Sequence, residues 1–333
     1  MRHPLARPLA YLALVSALPT LSAAFQPTTP TPSTTKTVSA TVETQPVETG
    51  DDAADDIAIW IHPTNPSLSL IIGTNKKAGL GVYALAGTRV QSLPEGRLNN
   101  VDLRQSLPTA DGTTLDLVVA SDRDDDSLAF FTMNVAPQDV QGDTPSAALV
   151  KLNSIPTGFD DVYGVALYRS RSGSLYVFAS DKAGLVRQWR LSILSAGGST
   201  EVRAELAREF HVGGQSEGMV ADDELGWFYV GEEDAALWRY PAEPGIDLAE
   251  QPRVPIDLVR SDLATSGHIT RDIEGVTIVP HTAPGSSGPT GGWIIASSQG
   301  DNSYTVYDRL PPHTYLFAFQ IADGQAPHGP IDG

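Results

Sequence analysis

The sequence predicts an all-β fold: a six-bladed β-propeller of four-stranded antiparallel blades, with the sixth blade incomplete in this chain. Three observations predict it. First, one hairpin is written five times: Leu70 to Tyr83 (LIIGTNKKAGLGVY), Leu117 to Phe131 (LVVASDRDDDSLAFF), Leu175 to Trp189 (LYVFASDKAGLVRQW), Trp227 to Tyr240 (WFYVGEEDAALWRY) and Trp293 to Tyr307 (WIIASSQGDNSYTVY). Each copy is an apolar strand ending in a small residue, then a polar turn, then a strand ending in an aromatic. Second, an acidic or amide start runs into an apolar strand before each hairpin: Asp55-Asp56, Asn99-Asn100, Asp160-Asp161, Ser216-Glu217 and Asp272-Ile273-Glu274. Third, a short strand follows the hairpin, as at Val254 to Val259 and Tyr315 to Ile321. Four strands per unit at roughly blade length mark radially repeated sheets.

Taken in chain order, residues 1–24 read as a secretory signal. Arg2 and Arg7 supply the positive end, Leu9 to Leu21 the apolar stretch and Ser22-Ala23-Ala24 a small-residue cleavage site. The apolar run is well short of the ~20 residues a membrane span needs. Residues 25–37, rich in Pro and Thr, read as a solvated linker, and residues 38–333 as the propeller domain. After the fifth unit closes at Ile321, twelve residues remain, too few for a blade. Thr37 to Val47 can supply one strand from the front, as an N-terminal strand does when it closes a ring. One strand at the front without partners at the back favours a sixth blade cut short; a closed five-bladed ring is the alternative.

Composition narrows the function. There is no cysteine, which excludes thiol chemistry and is compatible with export. The net charge is −18, and becomes −20 once Arg2 and Arg7 leave with the signal. Such a surface repels nucleic acid, and no basic stripe offsets it. No segment after the signal is apolar enough to span a membrane. The expected product is a secreted monomer, extracellular or periplasmic, acting on a small molecule.

Strand parity places the chemistry. If the innermost strand of each blade starts at the top, the turn between the second and third strands is also at the top. The acidic starts and the hairpin turns then share one face. Glu43, Asp55, Asp56, Glu217, Glu233, Asp272 and Glu274 fall there. Several converging carboxylates do not stay ionised unless paired or bound to a metal. Hard oxygen donors without His or Cys favour Ca²⁺. For any single carboxylate, a strand cap or turn is an equal reading; the set points to metal. Lys76, Lys77, Arg123 and Lys182 occupy equivalent turns of three successive blades and suit phosphate. Ion pairing with neighbouring acids is the plainer reading of these four. Tyr163 sits beside Asp160 and Asp161 and can bind a phosphate or a metal, or simply pack. The His residues show no metal-binding pair at helical spacing, and the Ser in Gly213–Gly218 lacks a nucleophile-elbow pattern. A metal-activated water is the most economical attacker.

Eight stretches of this chain resemble the β-propeller phytases, calcium-dependent alkaline enzymes of six blades. They are Asp51 to Trp60, Gly73 to Tyr83, Gly96 to Arg104, Asp160 to Gly164, Gln215 to Glu224, Gly231 to Tyr240, Asp272 to Ile278 and Ala296 to Arg309. The resemblance covers nearly all of residues 43–323 and implies a 3-phytase that removes phosphates from myo-inositol hexakisphosphate by direct attack of a metal-bound water. It implies calcium ligation by Glu43, Asp55, Asp56, Glu217, Glu233, Asp272, Glu274 and Gln299, with several ions bound. It implies catalytic and phosphate-binding roles for Lys76, Arg123, Tyr163 and Lys182, with Lys77 alongside them on the substrate. Asn99, Asn100 and Asp102 match the pattern without an assigned role. The family continues beyond the last residues of this chain, which again leads to the expectation of an incomplete sixth blade. A calcium-dependent sugar lactonase and a non-catalytic polyanion-binding propeller are the competing readings, and the basic turns argue against the lactonase.

Overall fold

The computed structural model describes residues 35–134, 140–141, 144–145, 148–196, 198–260, 267–286 and 288–322. The chain divides into two units, residues 1–33 and 34–333. The expected signal sequence and most of the expected linker lie outside the described residues. The linker's last two residues begin a strand, β1 (Lys36–Ser39).

Each repeated unit is one antiparallel sheet. The first runs β2 (Ala54–Trp60), β3 (Leu70–Asn75), β4 (Gly79–Ala84) and β5 (Arg89–Leu93). The second runs β6 (Leu98–Pro108), β7 (Thr114–Asp122), β8 (Ser127–Asn134) and β11 (Ala148–Pro156), with β9 (Val140–Gln141) and β10 (Thr144–Pro145) paired between its last two strands. The third holds β12 (Val162–Arg169), β13 (Leu175–Asp181), β14 (Leu185–Ala196) and β15 (Ser199–His211). The fourth holds β16 (Met219–Asp222), β17 (Trp227–Glu232), β18 (Ala236–Pro241) and β19 (Val254–Leu258). The fifth holds β20 (Val276–His281), β21 (Gly291–Ser298), β22 (Ser303–Asp308) and β23 (Tyr315–Ala322).

Among the described residues the blades number five, not six. The N-terminal strand also departs from expectation. It does not stand alone: β1 pairs in parallel with β23, Lys36 opposite Phe319 and Ser39 opposite Ala322. An outer strand edge presents a row of unpaired backbone groups, and β1 satisfies them.

Period-2 alternation decides which way each sheet packs. In β2, Ala58 and Trp60 are buried while Ile57 and Ile59 are exposed. The buried pair joins Leu98, Val118 and Phe131 in a core between the first and second sheets. Three further cores fill the seams between sheets two and three, three and four, and four and five. Between the fifth sheet and the first lies a cavity of about 810 Å³, with Ile57 and Ile59 on one wall and Thr277, Ile295 and Tyr304 on the other.

Small residues set the blades close at their tops. A Cβ on Gly164 would collide with the Glu217 carbonyl, and one on Gly218 would lie 2.8 Å from the Glu274 backbone. Each glycine follows a site residue, Tyr163 or Glu217, and admits the acidic start of the next blade. Hydroxyls near the end of the second strand add ties. Ser121 Oγ accepts from the Asn100 amide and donates to the Tyr163 carbonyl. Ser180 Oγ accepts from the Gly164 amide and donates to the Ser216 carbonyl.

Candidate functional site

The blade starts and the hairpin turns meet, as strand parity requires. The Lys76 amide donates to the Ala53 carbonyl, Arg123 to Arg97, and Glu233 to Gln215. The Asp272 amide donates to Glu233 of the preceding blade, and Gln299 donates to Asp272. Backbone hydrogen bonds therefore fix these side chains on one face.

Asp55, Glu217, Glu233 and Glu274 form the acidic half. Glu217 and Glu233 are buried. Glu217 accepts from Asn99 Nδ2, and Glu233 Oε2 accepts from Gln215 Nε2 at 3.0 Å. Burial, then the charge of Asp55, pushes Glu217 well above the usual carboxylate range. Burial also raises Asp55 against the pull of Lys76, and raises Glu233 against its bond from Gln215. Burial, then the charges of Asp55 and Glu233, pushes Glu274 up to about 7. These carboxylates thus feel one another from three different blades. Asp55 Oδ2 and Glu233 Oε1 are buried without a hydrogen-bond partner.

Asp56 is differently employed. It accepts from the Val101 amide at 3.0 Å and the Ile57 amide at 2.8 Å, and from Asn100 Nδ2 at 3.3 Å. Burial pushes its pKa up to about 7. Its oxygens tie the first blade to the second. Asp272 holds a left-handed backbone, φ 63°, and Gln299 is an exposed residue of a short 3₁₀ turn (Gln299–Asp301). Glu43 is not brought to this cluster. It is exposed, and its carbonyl packs against Gly87 in the turn between β4 and β5, at the opposite end of the blade by strand parity. Among the described residues no three His, Cys, Asp or Glu side chains close to metal-holding distance. The chemistry of the donors still fits a hard dication: oxygen ligands alone, two of them orphaned, with pKa values raised by burial and by one another.

The cationic half is Lys76, paired with acids, and two further cations, Arg123 and Lys182, set against the Tyr163 ring. Lys76 Nζ lies 2.7 Å from Asp52 Oδ1 and 3.0 Å from Asp55 Oδ1. Burial disfavours its charge, but the two carboxylates outweigh this and hold its pKa above the ordinary lysine value. Arg123 donates to Asn99 Oδ1 at 3.2 Å and pairs with Asp161 at 3.0 Å. Lys182 Nζ lies 3.6 Å from the other Asp161 oxygen. The Tyr163 ring faces both cations, with its centroid 6.0 Å from the Arg123 guanidinium carbon and 5.0 Å from Lys182 Nζ. Burial, then the charge of Glu217, raises the Tyr163 pKa, so its hydroxyl stays protonated. Lys77 turns away, donating to the Gly50 carbonyl at 2.9 Å.

Three residues here had no role assigned from sequence. Asn99 bridges Glu217 and Arg123, Gln215 bridges Glu233 and the Tyr163 hydroxyl, and Asp161 joins two cations. The amide pair at the second blade's start was the available signal for Asn99.

Fold and site together define a β-propeller that gathers carboxylates and cations on one face. The chain belongs to the Phytase family, whose family model matches residues 7–333. It is 40% identical over 296 residues to the 3-phytase of Bacillus subtilis (strain 168), covering 89% of this chain and 72% of that protein. Among solved structures it resembles Chaetomium thermophilum Sqt1 bound to the N-terminus of the ribosomal protein L10, at 13% identity and a TM-score of 0.45, covering 81% of this chain and 75% of that one. It also resembles the Cps50 (Swd1) β-propeller domain of Myceliophteria thermophila, at 10% identity and a TM-score of 0.41, covering 80% and 73%. Both structural likenesses are too distant to bear on function.

Proposed function

We propose that this protein is an exported 3-phytase, a calcium-dependent phosphomonoesterase that acts on myo-inositol hexakisphosphate. The observation that carries the reading is the meeting, on one face, of a carboxylate cluster with Lys76 paired to Asp55 and with Arg123 and Lys182 against Tyr163. The 3-phytase relative supports the substrate class.

Asp55, Glu217, Glu233 and Glu274 would hold calcium, with Asp272 and Gln299 at the rim and Asp56 serving mainly as a blade tie. Calcium bound there would cancel the acidic field, polarise phosphate oxygens and make water a better nucleophile. Arg123 and Lys182 bind phosphate oxygens by charge-assisted hydrogen bonds, and Lys76 does so while still paired to Asp55. The Tyr163 hydroxyl donates to the same phosphate, because a tyrosine so far raised in pKa does not ionise. Asn99 and Gln215 orient the acidic and basic halves relative to each other. Glu43 is outside this set. The seam between the fifth and first sheets is read as the seat of a further blade, which would wall the cluster on its open side.

The test is release of inorganic phosphate from phytate, with calcium and with chelator. Calcium-dependent release supports the reading. Phosphate binding without release in calcium would make the chain a polyanion-binding propeller instead. Release that persists unchanged in chelator would sink the calcium assignment.

A further inference from the structure

We propose that Asp161 is a built-in counter-anion: it occupies the Arg123–Lys182 pair in the free protein, holds the two cations together, and competes with phosphate for them. This rests on the phosphate-binding reading of that pair given above.

The geometry is that of a carboxylate shared between two blades. Asp161 Oδ1 lies 3.0 Å from an Arg123 terminal nitrogen and 3.2 Å from Arg123 Nε. Its other oxygen lies 3.6 Å from Lys182 Nζ. Arg123 comes from the hairpin turn of the second sheet and Lys182 from that of the third. One anionic centre therefore offers one oxygen to each cation, as a bound phosphate would.

The placement is enforced by the chain. Asp161 has φ 68°, a left-handed backbone that costs a non-glycine residue conformational energy and persists where the surroundings determine it. The surroundings do so on both sides. Phe159 and Val162 are buried in the core between the second and third sheets. The Val162 amide is held by Asp126 Oδ1 at 2.9 Å, and the Asp126 carbonyl accepts from the Thr157 amide at 3.0 Å. With its neighbours pinned and its backbone left-handed, the Asp161 side chain is delivered onto the cations.

The pair is made to be exchanged. The Asp161 side chain is 45% exposed and Lys182 35% exposed, so water screens their attraction. A phosphate dianion brings more charge and can engage arginine in bidentate fashion. It should displace Asp161, and the displaced carboxylate, still tethered beside it, should favour release of the product phosphate. Asp161 is thus a positioning residue that acts through Arg123 and Lys182. It trades phosphate affinity for a preset cation spacing.

The experiment is titration of wild type, Asp161→Asn and Asp161→Gly with inorganic phosphate by calorimetry, in one calcium-containing buffer. Asn tolerates a left-handed backbone and Gly prefers it, so both variants suit φ 68° and keep the fold. Both should bind phosphate roughly three- to tenfold more tightly, the size expected for removing one screened charge beside the ligand. On phytate both should show lower KM together with lower kcat, a split that a folding defect would not give. In an Arg123→Ala/Lys182→Ala background, Asp161→Asn should no longer tighten phosphate binding. Unchanged or weaker binding in both variants overturns the proposal, as does equal tightening without the two cations. Phosphate binding that responds as expected in a protein without turnover would overturn the hydrolase reading and leave this one standing.

Discussion

Glu274 and Asp56 carry a consequence for pH that follows from burial alone. Both have folded-state pKa values of about 7, against ordinary values of 4.5 and 3.8. Between those limits the folded chain binds more protons than the unfolded one, so its stability must fall as pH rises through that window. Without calcium, the melting temperature should be higher near pH 5.5 than near pH 8, with calcium shrinking the difference at the higher pH. Glu274→Gln should flatten the slope. His313 works against it: burial lowers its pKa, so its contribution is lost as pH falls below 6.5. A chelated protein that melts higher at pH 8 would show that the carboxylates are not strained by confinement. Lys76 gives a second prediction at this scale. Its partners are two carboxylates, and in the proposed complex it keeps Asp55 while its remaining N–H groups reach phosphate. Lys76→Ala should raise KM for multiply phosphorylated inositols about tenfold or more, the worth of one charge-assisted hydrogen bond, and far less for an aryl phosphate. Equal losses on both substrates would remove Lys76 from any second phosphate site. Much of this site was legible from residue type: acids at the starts, cations at the turns. Asp161 was not, because nothing in Asp160-Asp161 reveals that one of them takes a left-handed backbone and reaches a neighbouring blade. Glu43 was misread for the converse reason. A carboxylate near a strand end reads alike at either end of a blade, and this one lies by the turn between β4 and β5.

Strands β6, β12 and β16 are innermost in three neighbouring blades, and one side chain joins them. Arg104 on β6 donates to the Leu167 carbonyl at 2.6 Å and the Ala221 carbonyl at 3.1 Å. It also pairs with Asp102 at 3.0 Å and Asp223 at 2.8 Å. Asp102 in turn accepts from the Leu167 amide at 2.8 Å. This network ties the second blade to the third and fourth. Removing one partner of such a pair leaves the others half-buried and uncompensated. Arg104→Met should therefore destabilise by about 3–5 kcal/mol, read as a fall in the denaturation midpoint at unchanged slope. A loss within a few tenths of a kcal/mol would mean that water replaces the guanidinium. The hairpins themselves were readable because their period-2 pattern and their turn-capping residues agree. Asn75, Asp122 and Asp181 each accept from amides of the turn that follows. The cross-blade network was not readable. Asp102 and Arg104 form a local i, i+2 pair in sequence, and their more distant partners appear only when three inner strands are brought together.

The seams of the whole molecule are unequal, and that inequality bears on how many blades the fold needs. Four seams are filled by apolar cores, whereas the fifth is the cavity between β2 and the fifth sheet. Ile57 and Ile59 stand 60% and 51% exposed on one wall, Ile61 beyond them is 50% exposed, and Trp293 on the fifth sheet is 48% exposed. Apolar sheet faces pack at about 10 Å when they meet directly. Two such faces border about 810 Å³ of open space, and the proposed further blade would cover them. Asp55, Glu217 and Glu274 line the same cavity, so whatever fills the seam also closes the carboxylate cluster. The parallel pairing of β1 with β23 fits this reading, since every other strand pair in the five sheets is antiparallel. A chain carrying three further strands after Ala322 should seat them in the seam and draw β1 onto the new sheet as its fourth strand. Compared with the present chain, it should melt higher, bind less of a dye that reports exposed apolar surface, and bind calcium more tightly by calorimetry. Amide exchange in β1 should slow, because its pairing would become antiparallel or more fully enclosed. The opposite outcome is as clear. If the present chain binds no such dye, stays monodisperse and binds calcium as tightly as the longer one, then five blades close the ring. The seam is then a groove of the finished protein, and Ile57, Ile59 and Ile61 face solvent by design of the fold.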